Sequence, residues 1–425
     1  MYANLDTYSF IFGAKNLKRI FMMVVPRSKQ QNLILILILG ALNTITPFSI
    51  DMYLPAFPTI ANDFHTSIDK VALSVSTYFL GYSLGQIIYG PLLDRFGRKP
   101  PLYAGLILYI LATIGCFTTN TIERLWVIRF MQAIGGCVAS VAAMAMVRDF
   151  FPVEKSASVI SLLVLILGVS PLLAPTAGSF IIVTWGWHTV FIALAVITCI
   201  ILLLVFFFLP EGHAADKTIS LKPKPIINGF KTVLLTPRFY VFTLAGTFSF
   251  SGLFVYVANS PAIFMGHFHL SEKLYGGVFA LLSLGFIGGS QLNHLLTKKF
   301  SNQQILKAAL IIQTLVAIIF LIVAINGWYG LIAVLILLFV LLSCCGLTYP
   351  NAAALCMAPF SKNAGTASAL LGFIQIGLGG LISGSVSMLP MDGITAMATI
   401  MATTVIIALV ILLSAKNILE RSVVA

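Results

Sequence analysis

The chain has 425 residues, 59% of them hydrophobic and 9% charged, with a mean hydropathy of +1.02 and a formal net charge of +12. A water-soluble protein of this size has nowhere to hide so much apolar surface, so a soluble catalytic domain is excluded. The positive charge is not a nucleic-acid footprint, because it is spread along the connections between apolar runs rather than gathered into a patch.

Apolar runs of about 18 or more residues read as membrane-spanning helices. About twelve are predicted, near 33–55, 69–91, 101–119, 124–146, 157–182, 188–209, 237–262, 273–296, 304–325, 330–353, 365–390 and 392–414. They are long and continuous rather than short and alternating, which excludes a transmembrane barrel. The fold class is therefore an all-α membrane protein of about twelve transmembrane helices, arranged as two six-helix pseudo-repeat bundles. The expected divisions are a cytoplasmic N-terminal segment (1–32), a first bundle (33–209), a central cytoplasmic linker (210–236), a second bundle (237–414) and a cytoplasmic tail (415–425).

In chain order, the first 32 residues are basic and mixed and lack a signal-peptide cleavage pattern; Met22 or Met23 is an alternative start. The first span contains Asp51, the acid set most deeply in a predicted helix, with Pro55 and Pro58 behind it. An unpaired Asp at a helix centre costs about 2.5–3.5 kcal/mol on insertion scales, so it marks a functional site by default. Between the second and third spans lies GPLLDRFGRKP, Gly90 to Pro100, with Asp94, Arg95, Arg98 and Lys99 packed into six residues. Arg129, on the fourth span with Gln132, is the one basic residue inside a span. The polar interval near 210–236 has six spans on either side, as a linker between halves would; a regulatory loop is the other reading. GGSQLNHLLTKKF, Gly288 to Phe300, is a weakened copy of the first charged knot when Gly289 is set on Gly90, which places Asn293 on Asp94.

With both termini inside, 21 of the 25 Lys and Arg residues fall on the inner segments, the positive-inside bias. Cysteines 116, 137, 199, 344, 345 and 356 form no C-x-x-C, so neither disulfides nor zinc is expected. No metal cluster, G-x-x-x-x-G-K-[ST] or catalytic serine motif occurs, so the chain is expected to be neither an enzyme nor an ATP-driven pump.

Several motifs carry a resemblance. GPLLDRFGRKP, DMYLPAFP (51–58), RFMQAIGG (129–136), LGVSPLLAPTAG (167–178), FVYVANSP (254–261) and PNAAAL (350–355) are similar to signatures of the major facilitator superfamily, and of its Bcr/CflA-type drug:proton antiporters in particular. The resemblance spans about 33–414. The chain departs from it at Ser170, which precedes Pro171 where many such antiporters have Gly-Pro.

The resemblance implies an efflux transporter that exchanges small amphipathic drugs for protons by alternating access. It implies a multi-pass protein of a bacterial inner (plasma) membrane, monomeric, partnered by lipid, protons and its small-molecule substrate, with no nucleic acid and no cofactor beyond the proton gradient. A proton-coupled importer or facilitator of a nutrient or peptide on the same fold is the alternative.

Residue by residue, Asp51, Arg129 and Gln132 are the expected proton-coupling set, with a static Asp51–Arg129 pair as the rival reading. Gly90, Asp94, Arg95, Gly97, Arg98, Lys99 and Asp149 form an expected latch, with Asp94 facing the start of helix eleven near Gly365. Gly168, Pro171, Pro175 and Gly178 make the helix-five motif. Tyr78, Tyr82, Gln86, Phe250, Phe254, Tyr256, Asn259, Tyr349, Asn351 and Gln375 are the substrate candidates. Asn43, two turns before Asp51, takes the place of a second acid found in some relatives, so one proton per cycle is expected.

Overall fold

The computed structural model describes residues 29–415 apart from 213, 214, 217, 219, 220 and 361–363. Of the expected terminal segments, 1–28 and 416–425 lie outside the described residues. Twelve long helices follow one another: α1 (Lys29–Asp51), α2 (Ile68–Phe96), α3 (Lys99–Phe117), α4 (Ile122–Phe150), α5 (Val153–Trp185), α6 (His188–Phe208), α7 (Pro237–Pro261), α8 (Glu272–Leu296), α9 (Asn302–Ile325), α10 (Leu331–Met357), α11 (Ala364–Ser385) and α12 (Gly393–Ser414). Eleven of these stretches, counted with their short continuations, are long and apolar enough to cross a membrane, and α5 carries the further apolar stretch Val169–Trp185. Helices satisfy their own backbone where hydrocarbon offers no partner, and among the described residues there is no strand.

Helix starts follow ordinary capping chemistry. Ser67, Thr121 and Ser271 accept from backbone amides in the first turns of α2, α4 and α8, and Ser301 with Gln304 closes a capping box on α9. Asp392 caps α12 by accepting from the amides of Ile394 and Thr395, each at 3.1 Å.

Packing repeats between the halves. The pairs α2–α4, α3–α4 and α1–α4 recur as α8–α10, α9–α10 and α7–α10. The crossings depend on glycines: a side chain on Gly81 would meet the Phe130 carbonyl, and one on Gly289 the Ser343 carbonyl. This corrects the register of the repeat read from sequence. Gly90 faces open space, whereas Gly289 is tightly packed, so Gly81 and Gly85 correspond by packing to Gly285 and Gly289.

Two seams join the halves, α2 against α11 and α5 against α8. They are closed at the end bearing Lys70, where Ser76 and Ser383 share a 2.9 Å hydrogen bond and Ser179 donates to the Glu272 carbonyl at 2.9 Å. At the other end, which carries Asp94, both Gly90 of α2 and Gly365 of α11 face open space. The polar interval between the halves is not all loop. Pro223–Leu234 forms an amphipathic helix whose Phe230 and Val233 pack on the core of the second half.

A methyl group on Gly135 would fall 2.5 Å from the Tyr109 amide nitrogen and 2.7 Å from the Gly105 carbonyl, whereas one on Gly288 would meet nothing within 4 Å. Overpacking of this kind costs about 1–3 kcal/mol, against roughly 0.5–1 kcal/mol gained by replacing a helical glycine. Gly135→Ala should therefore lower the melting temperature of the purified protein in detergent, and Gly288→Ala should leave it level or raise it. Equal behaviour of the two would contradict the close α3–α4 crossing.

Candidate functional site

The site begins where α1 breaks. Proline has no amide to donate, and α1 carries Pro47 inside it and Pro55 and Pro58 just after it. The helix stops at Asp51, turns through a 3₁₀ segment at Leu54–Ala56 and resumes as Phe57–Asp63. Gly178 of α5 makes room for this break, since any side chain there would strike the Met52 carbonyl. The Asp51 side chain is left 6% exposed, with no hydrogen bond or ion pair among the described residues. The 3₁₀ turn packs on α7 and α8 of the other half, and Tyr256 and Tyr275 from those helices come within electrostatic reach of the carboxyl.

Arg129 lies elsewhere. Fully buried, it stands over the rings of Tyr53 and Tyr78 at 4.9 and 4.4 Å. Its Nη1 donates to Gln132 Oε1 at 2.6 Å, and Gln132 donates on to Thr113 Oγ1 at 2.7 Å. Ring faces attract a desolvated cation by about 2 kcal/mol or more, so this cage holds the charge without a carboxylate. Arg129 Nε and Nη2 find no acceptor among the described residues. Of the expected proton-coupling set, Arg129 and Gln132 are brought together and Asp51 is not brought to them.

The charged knot is centred on Arg98, which is 7% exposed. Its Nη1 donates to Asp94 at 2.6 Å and its Nε to Asp149 at 2.7 Å. Gly97, at φ 85° and ψ 174°, holds a conformation that is nearly glycine-only and turns α2 into α3. Glu211, just past α6, accepts from the amides of Arg98 and Lys99 at 2.9 and 3.1 Å and so caps α3. The expected contact of Asp94 with the start of α11 is not seen among the described residues: its side chain is half exposed and pairs with Arg98, and a side chain on Gly365 would meet nothing within 4 Å. The knot thus ties the ends of α2 and α4 to each other and to the start of the linker, whose Asp216 amide donates to the Asp94 carbonyl at 3.3 Å. Arg95 and Lys99 lie beside Phe96 and Tyr103, each charge 5.9 Å from its ring.

The Major Facilitator Superfamily model matches residues 39–384. The chain belongs to this superfamily. Curated relatives include the bicyclomycin resistance protein homolog of Haemophilus influenzae, 28% identical over 92% of this chain and 99% of its own length. The uncharacterised MFS-type transporter YdgK of Bacillus subtilis is 31% identical over 84% and 89%, and multidrug resistance protein D of Escherichia coli 28% over 86% and 91%. Among solved structures, a bacterial homolog of the human lysosomal transporter Spinster, inward-facing and occupied, superposes with a TM-score of 0.67 at 16% identity over 92% of this chain and 96% of that one. The D-xylose-proton symporter gives 0.65 at 13% identity over 88% and 96%. These two likenesses carry the fold alone. The superfamily consists of transporters, not enzymes.

In this major facilitator fold an aromatic run crosses between the halves. Phe79 meets Phe254 at 4.7 Å, Phe254 meets Phe250 at 5.5 Å, and Phe250 stacks on Tyr349 at 4.7 Å. Gln86 reaches the same seam against Gly372, and Gln375 borders a gap with Thr243, Thr247 and Tyr349. The Thr247 hydroxyl is buried there with no hydrogen bond among the described residues. Other substrate candidates are engaged elsewhere: Tyr82 with Ser140 at 2.5 Å, Asn259 with the Val255 and Ser383 carbonyls, and Asn351 with Asn293 at 2.6 Å. Tyr78 belongs to the arginine cage, and Tyr256 faces Asp51 with an unpartnered hydroxyl. Gly168, Pro171 and Pro175 lie on α5 with Gly178.

Sequence reading missed Glu211, the cage residues Tyr53 and Thr113, and a buried network of Ser249, Gln313 and Thr348. Glu211 had a visible signal, an acid at the start of the linker; the others look like ordinary helix residues until their partners are known. Arg98→Ala removes the guanidinium that pairs with the mostly buried Asp149, and breaking such a pair costs about 3–5 kcal/mol. Thermal unfolding should fall sharply in Arg98→Ala and recover in part when Asp149→Leu is added. An additive double variant would mean the pair is not coupled.

Proposed function

We propose that this chain is a proton-coupled exporter of small amphipathic compounds. The observation that carries the reading is the buried, unpartnered carboxyl of Asp51 at a helix break beside the opposite half. A carboxylate without water or cation is penalised in its charged form. Asp51 is the group that takes up the coupling proton in this reading, and it gives the proton back when the break gains water or a cation. Arg129 supplies the second possibility, because Nε and Nη2 are unengaged donors within its cage. Exchange of Asp51 toward Arg129, with Gln132 yielding, would expel the proton. The relatives named for bicyclomycin and multidrug resistance support export as the direction and drug-like compounds as the cargo.

In this reading the division into 33–209 and 237–414, joined by 210–236, is the division into moving bodies. The knot at Gly90–Lys99 with Asp149 is an inner latch, unlatched in the present state, and Asp94 meets α11 when the Asp94 end shuts. The aromatic run of Phe79, Phe250, Phe254 and Tyr349 grips the cargo, with Gln86 and Gln375 as its polar contacts. The protein sits as a monomer in a bacterial inner membrane with both termini inside and draws on the proton gradient without a cofactor.

In inverted vesicles holding a preformed proton gradient, cargo compounds should discharge it through the native protein. Asp51→Asn should abolish that response at normal protein levels. Discharge that persists undiminished in Asp51→Asn would refute the proton-site assignment.

A further inference from the structure

At the Lys70 end the closed seam is not filled. A cavity of about 280 Å³ lies between the first turn of α2, the end of α7 with the π-helical turn after it, and the connection from α11 to α12. That is the room of about nine waters at ~30 Å³ each, just under the roughly 300 Å³ where small-molecule sites begin. Its lining is mixed: Ile263, Leu389 and Met391 supply apolar surface, and Asp69, Asn259, His267 and Ser387 supply polar groups. A mixed lining of this kind suits a small ligand that carries both a charged group and an apolar body.

Three further observations bear on what fits. The turn Ala262–His267 is π-helical, a wide conformation that recurs at functional sites, and it brings both Ile263 and His267 to the wall. The Asp69 carboxylate makes no hydrogen bond or ion pair among the described residues, although Ser387 Oγ donates to its backbone carbonyl at 3.4 Å across the seam. The nearby acid Asp392 is occupied by the Ile394 and Thr395 amides and Tyr329. Asp69 is therefore the one formal charge of the lining with histidine neutral, and it is available.

We propose that this cavity is a second binding site, which takes an ammonium group carried on a small apolar body. Asp69 receives the cation, and Ile263, Leu389 and Met391 cover the apolar part. The first half supplies the anion and the second half most of the walls, so the site exists only while this end is shut. It stands apart from the transport reading, since it makes no use of Asp51. A free lipophilic amine and the ammonium headgroup of a membrane lipid share this chemistry.

The test is protection of a cysteine on the wall. Met391→Cys, in a Cys199→Ser background and in phosphatidylglycerol nanodiscs, is labelled with a water-soluble maleimide. Benzyltrimethylammonium should slow labelling about tenfold at saturation, and its uncharged carbon analogue neopentylbenzene should slow it far less. Asp69→Asn should remove the protection and Asp69→Glu should keep it. If phosphatidylethanolamine in the disc slows labelling before any probe is added, the site holds a lipid headgroup; if it does not, while the probe protects, the occupant is a free amine. Both outcomes support the site. No protection by the probe, equal protection by the uncharged analogue, or protection unchanged in Asp69→Asn overturns it. Asp51→Asn should leave protection intact even where it abolishes proton coupling, so the two assignments fail separately.

Discussion

A buried carboxyl group with no hydrogen bond or ion pair among the described residues is the constraint around which the first half is arranged. Asp51 cannot be moved to solvent without unbending α1, because three prolines fix the break and Gly178 seats the Met52 carbonyl against α5. Nor can it be separated from the second half, because the turn after it packs on α7 and α8. The ionisation of one side chain and the contact between two bundles are thereby tied to the same few residues. Any motion that parts the seams at the Lys70 end also changes how much water Asp51 meets.

The two halves share a packing plan and differ in their charge. The seams α2–α11 and α8–α5 are equivalent under the repeat, and the glycine crossings recur in register. Yet the first half places Arg98 between Asp94 and Asp149, whereas a helix crossing of the second half is joined by the neutral pair Asn293 and Asn351. The first half buries Arg129 with Gln132 and Thr113, whereas the second buries the neutral set Ser249, Gln313 and Thr348. Buried charge is costly, and both halves do not carry it. An asymmetric division of this kind leaves the second half free to present aromatic and amide groups toward the seam.

Much of this was legible beforehand, because it rests on strong local signals. Spans follow from hydropathy, and the helix count and the two halves came from counting residues. Asp94, Arg95, Arg98 and Lys99 stood out in a dense local motif, while the choice of Arg98 over Arg95 as the partner of Asp149 came only with the structure. The relation of Asp51 to Arg129 was not legible: sequence places both on the Lys70 side of their spans, but helical phase and the Tyr53 and Tyr78 rings set which way each points. The repeat register failed for a related reason. A shared glycine and lysine matched by letter, while the structural match is of glycines that meet carbonyls on a partner helix. Asn351 read as a cavity residue because polar groups at mid-span are rare, yet its amide is answered by Asn293 at a helix crossing.

The separation of Asp51 from Arg129 is itself informative about energetics. A tight buried ion pair would be held by Coulomb attraction strong enough to lock α1 to α4, and breaking it would leave two uncompensated charges. The cage avoids that lock. Ring faces and Gln132 hold the guanidinium, leaving two of its donors unengaged, while the carboxyl lies apart at the seam. Neither group is then fully satisfied or fully stranded, so the alternatives differ by a few contacts rather than by a whole desolvation penalty. A two-state element needs that near-balance if a single proton is to tip it, since a ligand shifts an equilibrium only by its difference in affinity for the two states.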